Sequence, residues 1–241
     1  MRKKEKGTVM RPYVVVNVAM SADGKLSTVE RRQVKISGEQ DFLRVDRLKA
    51  ESDAIMVGIG TVLADDPSLT VKREECREER RRRGVDENPV RVVVDSTGRI
   101  PLNASILHKG TGRRIVAVSL KADAGRVAVL KQHATVVIAG VDEVDLPALL
   151  DELGTMGIQR LMVEGGGTLI GGLFRSGLVD ELYTFIGNII IGGKDAPTPT
   201  DGTGFFKESE FTKLTLTEAH RIEAGILLHW HVGREEKPAS L

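Results

Sequence analysis

Residues 161–169 read LMVEGGGTL, an apolar run that ends in an acid, three glycines and a threonine. The pattern predicts a strand that ends at Glu164 and a helix that begins directly after it. Because glycine lacks a Cβ atom, backbone N–H groups at such a helix start can approach a phosphate closely and present partial positive charge to it. The stretch is interpreted as a nucleotide phosphate cradle, with a plain tight turn as the alternative. Glu164 lies where open α/β sheets bind their ligands.

The composition indicates an ordinary globular protein. The chain has 241 residues, 41% of them hydrophobic, and a formal net charge of +1, which argues against nucleic acid as the main partner. Cys76 is the only cysteine, so one chain can form no disulfide and no thiolate metal cluster, and a reducing compartment is expected. No stretch reaches the roughly 18 apolar residues of a membrane helix, and residues 1–11 lack the apolar core of a signal peptide. We expect a cytoplasmic protein.

Apolar runs and helical patterns alternate along most of the chain, with connections short enough for a largely parallel sheet. Strands are predicted at 13–19, 54–57, 90–94, 114–118, 135–138 and 160–164, and helices at 39–50, 122–131, 146–153 and after 165. The first strand is interpreted as the central one. Strands at 181–191, 211–220 and 225–232 follow without helical patterns, which predicts antiparallel additions at the edge. The predicted fold class is α/β, with a mixed, mostly parallel central sheet flanked by helices.

One charged stretch breaks this alternation. Residues 72–88 include Arg80–Arg83 and show no apolar periodicity, so they are predicted to form a solvated, mobile loop. Glutamates mixed into the stretch make a functional basic patch the less favoured interpretation. A single domain over 1–241 is expected, with residues 1–10 as an N-terminal extension and 233–241 as a tail.

The familiar catalytic motifs are absent from the sequence. It has no G-x-S-x-G elbow, H-E-x-x-H, Walker lysine pattern or zinc-deaminase signature. His229 and His231 flank Trp230 on one predicted strand face, but no third ligand stands nearby in sequence, so no metal site is predicted. The Asp65-Asp66-Pro67 segment is interpreted as turn and capping chemistry.

Several stretches, taken in order, resemble the reductase family of riboflavin biosynthesis, which is related in fold to dihydrofolate reductase. They are RPYVV (11–15), MSADGK (20–25), VGIGTVLADDPSLT (57–70), VDS (94–96), VEGGG (163–167) and VDEL (179–182). The similarity covers about residues 11–232. It implies a dihydrofolate reductase-like fold and a homodimer.

The chain is most similar to the stand-alone archaeal form of this family. It starts almost at the first reductase strand, has no deaminase signature, and carries Asn17 and KISGE (35–39) where bacterial relatives differ. The resemblance implies reduction of the ribosyl group of 2,5-diamino-6-ribosylamino-4(3H)-pyrimidinone 5′-phosphate to ribityl. NADPH is the implied hydride donor, with NADH acceptance left open. Two alternatives remain: the same fold acting on the deaminated pyrimidine or a pterin, and a regulatory module that binds NADPH without oxidising it.

The resemblance also implies site residues. Cofactor positions are Thr61, Asp65, Asp95, Ser96, Thr97, Gly98, Gly165, Gly166, Gly167 and Thr168, and substrate positions are Asn17, Ser37, Lys49, Leu69, Lys72 and Glu164. Glu164 is the implied catalytic group, which polarises or orients the substrate. Lys49 and Lys72 stand where bacterial relatives hold the 5′-phosphate with arginine; lysine keeps the charge but loses the bidentate fork. Arg113 and Arg114 are candidates for a 2′-phosphate by charge alone.

Overall fold

The computed structural model describes residues 11–233, so the predicted extension at 1–10 and residues 234–241 of the predicted tail lie outside it. A nine-stranded sheet in the order β5-β4-β3-β2-β6-β1-β7-β9-β8 organises the chain. The strands are β1 Tyr13–Met20, β2 Ala54–Gly58, β3 Val90–Val94, β4 Arg114–Val118, β5 Thr135–Ile138, β6 Arg160–Gly165, β7 Glu181–Ile186, β8 Leu214–Ile222 and β9 Gly225–Val232. The helices are α1 Glu39–Glu51, α2 Ile59–Asp65, α3 Glu74–Arg82, α4 Ser105–His108, α5 Ala124–Leu130, α6 Leu146–Thr155 and α7 Gly167–Arg175, with a 3₁₀ turn at Glu208–Glu210.

The strand directions confirm the predicted fold class. Strands β1 to β7 pair in parallel, because each of the crossovers among β1 to β6 carries a helix. Strands β9 and β8 add antiparallel at one edge. Strand β6 occupies the middle of the sheet and β1 lies next to it, so β1 is not the central strand.

Both faces of the sheet are apolar, which explains why the inner strands read as continuous β-branched runs. On one face, Val14 and Val16 of β1 pack with α6 and α7. On the other face, Val15 of β1 and Met162 of β6 pack with α1, α2, α4 and α5. The second face also carries the polar side chains described below. No helix within residues 11–233 is long and apolar enough to cross a membrane.

The prediction of a loop at residues 72–88 is wrong, because residues 74–82 form α3. Its buried residues are Cys76 and Arg80, one helical turn apart. The Arg80 guanidinium donates to the carbonyl oxygens of Ala50 and Ser52, both at 2.8 Å. A buried face made of a cysteine and an arginine produces no apolar period, so the hydrophobic pattern could not predict this helix.

The boundaries of two strands also differ from the prediction. The strand predicted at 181–191 ends at Ile186, and beyond it Gly192 and Gly193 turn the chain with φ of 70° and 86°. The strand predicted at 211–220 occupies 214–222, after the 3₁₀ turn.

Candidate active site

Polar side chains form a row across the α1-facing side of the sheet. Asn17 of β1 pairs with Tyr183 of β7. On the other side of β1, Val16 pairs with Val163, which places Glu164 beside Asn17. A polar row in a face that is otherwise apolar marks a candidate site. We call these three residues, Glu164, Asn17 and Tyr183, the polar row.

Helix α1 supplies a cation to each end of the polar row. The Lys49 Nζ atom lies 3.0 Å from Glu164 Oε1, and the two side chains are only 15% and 13% exposed. The Arg44 Nη2 atom donates to Asn17 Oδ1 at 2.7 Å, and its guanidinium lies 5.5 Å from the centre of the Tyr183 ring. Arg44 is in turn held by Asp41, which accepts from Arg44 Nε at 2.8 Å. The resulting site combines a carboxylate, an amide and two fixed cations.

Lys72 lies in the loop before α3 and points its ammonium at two hydroxyl groups. Its Nζ donates to Ser68 Oγ at 2.7 Å and to Thr70 Oγ1 at 2.8 Å. Partial burial, and then the neighbouring positive charge of Lys49, lower the pKa of Lys72. An ammonium group beside two hydroxyl groups favours a bound anion, because the anion would stabilise the charged form of Lys72.

Leu69 supports this loop with an unusual backbone. It is 5% exposed and has φ of 51°, in the left-handed region that non-glycine residues seldom occupy. Such strain persists only where the surrounding structure enforces it, and it clusters at ligand sites. The predicted substrate positions Lys49, Leu69 and Lys72 therefore belong to one region of the protein.

The predicted cradle lies at the turn between β6 and α7. Gly166 precedes α7 with φ of 91°, a conformation that favours glycine. Ile170 N–H makes the first intrahelical hydrogen bond, to Gly166 O, so the N–H groups of residues 167–169 have no acceptor within the helix. Thr61 contributes from α2, since a Cβ atom on Gly165 would lie 3.2 Å from Thr61 Oγ1. These residues fit a phosphate-containing cofactor.

The sequence did not predict the segment that covers the cradle. Asp201 N–H donates to Gly167 O at 3.0 Å, and a Cβ atom on Gly167 would clash with Thr198 O. The Asp201 carboxylate accepts from Thr198 Oγ1 at 2.6 Å. The glycines thus have different roles: Gly166 provides the backbone conformation and Gly167 the close packing. No local signal in the sequence identifies Thr198 or Asp201.

The polar residues that follow β3, at 95–98, stabilise the loop in which they lie. Asp95 is fully buried and its Oδ2 accepts from Ile100 N–H at 2.7 Å. Ser96 Oγ accepts from Val144 N–H at 3.1 Å. Among the four predicted cofactor positions here, Thr97 is exposed and Gly98 turns the chain with φ of 71°. The Asp95 and Ser96 side chains therefore position the loop, at the same carboxyl edge of the sheet as the cradle.

Two further positions follow α2. Asp65 is its last residue, and burial raises the pKa of this carboxyl. Asp66 has φ of 40°, and its carboxylate accepts from the N–H and the hydroxyl of Ser105, both at 2.7 Å. The turn and capping interpretation is confirmed for Asp66.

Ser37 lies apart from the lysines. It is buried just before α1, whereas Lys49 lies in the last turn of that helix. Ser37 lines a cavity of about 300 Å³ together with Lys35, Ile36, Gly38, Phe185, Asn188, Glu223, Ala224 and Gly225. This cavity adjoins the β8–β9 turn, so Ser37 extends the candidate site toward the opposite end of α1.

The arginine candidates for a 2′-phosphate lie far from the cradle in the topology. Arg114 pairs with Arg91 at the amino ends of β4 and β3, whereas the cradle and Asp95 lie at the carboxyl ends. Arg114 donates to the carbonyl oxygens of Gly110 and Gly112. The structure therefore gives Arg113 and Arg114 no place beside the predicted cofactor positions.

Comparison with known proteins supplies the family. The RibD C-terminal domain model matches residues 12–228. A relative from Archaeoglobus fulgidus, named 2,5-diamino-6-ribosylamino-4(3H)-pyrimidinone 5′-phosphate reductase, is 55% identical over 205 residues, which are 85% of this chain and 93% of the relative. A relative of the same name from Methanothermobacter thermautotrophicus is 44% identical over 223 residues, which are 92% and 99% of the two chains.

Solved structures agree with the sequence comparison. Acinetobacter baumannii RibD superposes with a TM-score of 0.74 at 25% identity, over 94% of this chain and 59% of that one. This likeness confirms the dihydrofolate reductase-like fold predicted from the sequence. The family model spans residues 12–228, so strands β1 to β8, the first half of β9 and both helical layers lie within the match. The chain therefore belongs to the RibD C-terminal domain family, the reductases of riboflavin biosynthesis.

Proposed function

We propose that the protein reduces the ribosyl group of 2,5-diamino-6-ribosylamino-4(3H)-pyrimidinone 5′-phosphate to ribityl, with NADPH as the donor. The observation that carries this proposal is the buried Lys49–Glu164 pair beside Asn17, one residue before the glycine cradle. The Glu164 carboxylate and the Asn17 side chain, which would contact the sugar, therefore lie next to the backbone N–H groups that would hold a phosphate-bearing cofactor. Two relatives at 55% and 44% identity bear the name of this reductase.

The residues of the chain receive distinct roles in this proposal. Lys72, with Ser68 and Thr70, holds the 5′-phosphate, since Lys49 is already paired with Glu164. Glu164 and Asn17 orient the sugar, and the amides of residues 167–169 hold cofactor phosphate. When bound there, NADPH would supply a hydride for C1 of the sugar, and water would supply the proton for the adjoining nitrogen. The apolar face around the polar row limits the access of water to that carbon.

We also propose that the protein is a homodimer. Strand β8 is an edge strand whose residues are nearly all exposed, and Leu214 and Leu216 are 39% and 48% exposed. Such an edge is a template for pairing with another chain. A second copy would cover the strand in an isologous interface.

The decisive experiment follows the loss of NADPH absorbance in three parallel reactions of the purified protein. The substrates are the diamino compound, its deaminated counterpart and a dihydropterin. We expect oxidation with the diamino compound to be the fastest, with a product heavier by two hydrogens. Faster turnover of another substrate would replace the proposed one. NADPH binding without oxidation in any reaction would favour the regulatory module.

A further inference from the structure

A cluster of metal-ligating side chains lies beyond Tyr183, at the end of the polar row farthest from Glu164. Strand β7 pairs antiparallel with β9, so that Glu181 stands opposite His231 and Tyr183 opposite His229. Side chains two residues apart share a face of a strand. Glu181, His229 and His231 consequently offer one ligand atom each within 4.8 Å of one another. We call these three residues the Glu–His–His cluster.

Two atoms of the Glu–His–His cluster have no hydrogen-bond partner within residues 11–233. Glu181 Oε2 and His229 Nε2 are both buried, and they lie 3.6 Å apart, which is too far for a hydrogen bond between them. Glu181 is only 9% exposed. Buried polar atoms without partners are uncommon and costly, so a pair that faces a shared space requires an explanation. One cation between the two atoms would satisfy both.

The neighbouring residues orient the ligands. Tyr13 OH donates to Glu181 Oε1 at 2.8 Å, which leaves Oε2 for another partner. The His229 ring stacks on Tyr183, with centroids 4.1 Å apart and planes at 10°, which fixes the imidazole. Fixed orientation by surrounding groups is typical of metal ligands.

One cation already lies near the cluster. Arg160 Nη2 is 3.6 Å from Glu181 Oε2, and its guanidinium stands over the Tyr13 ring at 5.6 Å. This arginine balances part of the Glu181 charge without a hydrogen bond to Oε2. It competes with a metal ion for that oxygen, so it lowers the affinity.

We propose that Glu181, His229 and His231 bind a divalent transition-metal ion of the zinc, cobalt or nickel class. Two imidazoles and one carboxylate form a ligand set that these ions accept. Ligand atoms of a tetrahedral zinc ion lie roughly 3.3 Å apart, because each bond is about 2.0–2.2 Å long. The Glu181–His229 separation of 3.6 Å is close to this value, and His231 has only to turn its exposed ring. Water from the exposed side completes the coordination.

The bound ion would join β7 to β9 rather than take part in hydride transfer. Its ligands come from two strands that meet through long-range antiparallel pairing. The cross-link would stabilise the antiparallel edge of the sheet, because an ion that binds only the folded chain shifts the unfolding equilibrium.

The test titrates untagged, chelator-treated full-length protein with Co²⁺ and records its visible absorption, followed by calorimetry with Zn²⁺. We expect one ion per chain and a visible absorption band that indicates a low coordination number of the bound Co²⁺ ion. His229→Ala and Glu181→Gln should each weaken binding at least tenfold. The matched control is His220→Ala, since His220 pairs with Glu218 on the exposed surface of β8 and lies outside the cluster.

A second measurement separates loss of ligands from loss of fold. Zn²⁺ should raise the melting temperature of the wild-type protein and of His220→Ala, but not that of Glu181→Gln, whose circular dichroism should match the wild type. Failure of the wild-type protein to bind Co²⁺ and Zn²⁺ at submillimolar concentration would overturn the proposal. Full-strength binding by both His229→Ala and Glu181→Gln would overturn it as well.

Discussion

Glu164 and Lys49 hold each other at 3.0 Å where water has little access. In such surroundings a charge pair is stronger than on the surface, and removal of one partner leaves the other as a buried, unpaired charge. The pair therefore fixes the position of both groups before a substrate arrives. Arg44 fixes Asn17 in the same manner.

Substitution of Glu164 tests its proposed role. Glu164→Gln keeps the shape and removes the charge, and we expect kcat to fall about 10²-fold, within the range for a positioned acid or base. The Kd for NADPH should change little, because Glu164 is assigned to the sugar. Steady-state kinetics and calorimetry provide both numbers. Glu152→Gln, on the exposed side of α6, is the control. Unchanged kcat in Glu164→Gln would remove Glu164 from the mechanism.

Substitution of Lys72 tests the phosphate site. We expect Lys72→Met to raise KM about 10- to 100-fold through loss of a charged hydrogen bond, with a smaller effect on kcat. Its melting temperature should not fall, because burial and Lys49 already disfavour the charged form of Lys72. Lys131→Met, an exposed lysine at the end of α5, should keep the wild-type KM. Equal KM values for the two variants would contradict the assignment.

At the scale of secondary-structure elements, the site depends on two turns that pack on each other. A Cβ atom on Gly166 would lie 3.5 Å from the Cα and N atoms of Gly58, so the β6–α7 turn touches the β2–α2 turn. This contact brings Thr61 to the cradle. Glycine at positions 58 and 166 therefore allows the two turns to contact each other, as well as allowing a ligand to approach the backbone.

A pair of glycine variants separates backbone strain from cofactor binding. Gly166 and Gly157 have φ of 91° and 86°, so alanine at either position should cost about 1–3 kcal/mol of stability. Only Gly166→Ala should also raise the Kd for NADPH, by about 10-fold or more, because a change in the Gly166 backbone would turn the N–H groups of residues 167–169 away from the cofactor phosphate and weaken their hydrogen bonds to it. Chemical denaturation and NADPH titration measure the two effects. A similar Kd in both variants would exclude the cradle as a cofactor site.

Helix α3 is stabilised from its buried side. We expect Arg80→Met to lower stability by about 2–3 kcal/mol, because the carbonyl oxygens of Ser52 and Asp86 lose their guanidinium donor, whereas Arg83 still donates to the Ala50 carbonyl. Arg82→Met, on the exposed side of the same helix, should change stability by less than about 0.5 kcal/mol. Urea unfolding of both variants compares them directly. Equal stabilities would show that the buried guanidinium contributes nothing.

At the scale of the whole molecule, the parallel part of the sheet gathers the candidate site at the carboxyl ends of its strands, as open α/β sheets do. The antiparallel part has another role. It extends the polar row toward the Glu–His–His cluster and ends in the exposed strand β8. That edge is the surface proposed for the second copy.

Light scattering tests the homodimer. We expect the wild-type protein to have the mass of two chains and Leu216→Lys to shift toward one, because a lysine on an edge strand opposes pairing. Leu120→Lys is the control, since Leu120 is 67% exposed and lies after β4, away from β8. A wild-type protein with the mass of one chain would contradict the proposal.

The sequence by itself determined the order of the nine strands and of helices α1, α5, α6 and α7, the mixed sheet and the family, because local apolar periods and short motifs carry that information. It also indicated the β6–α7 glycines and the Lys49, Lys72 and Glu164 positions as site residues through the family resemblance. Only the tertiary structure decided that residues 74–82 form a helix, because their buried contacts are a cysteine and an arginine that reach α1. The tertiary structure also decided that Arg44 contacts Asn17 and that Glu181 lies beside His229 and His231. These partners are distant in sequence and meet only through packing on the sheet, which local patterns do not encode.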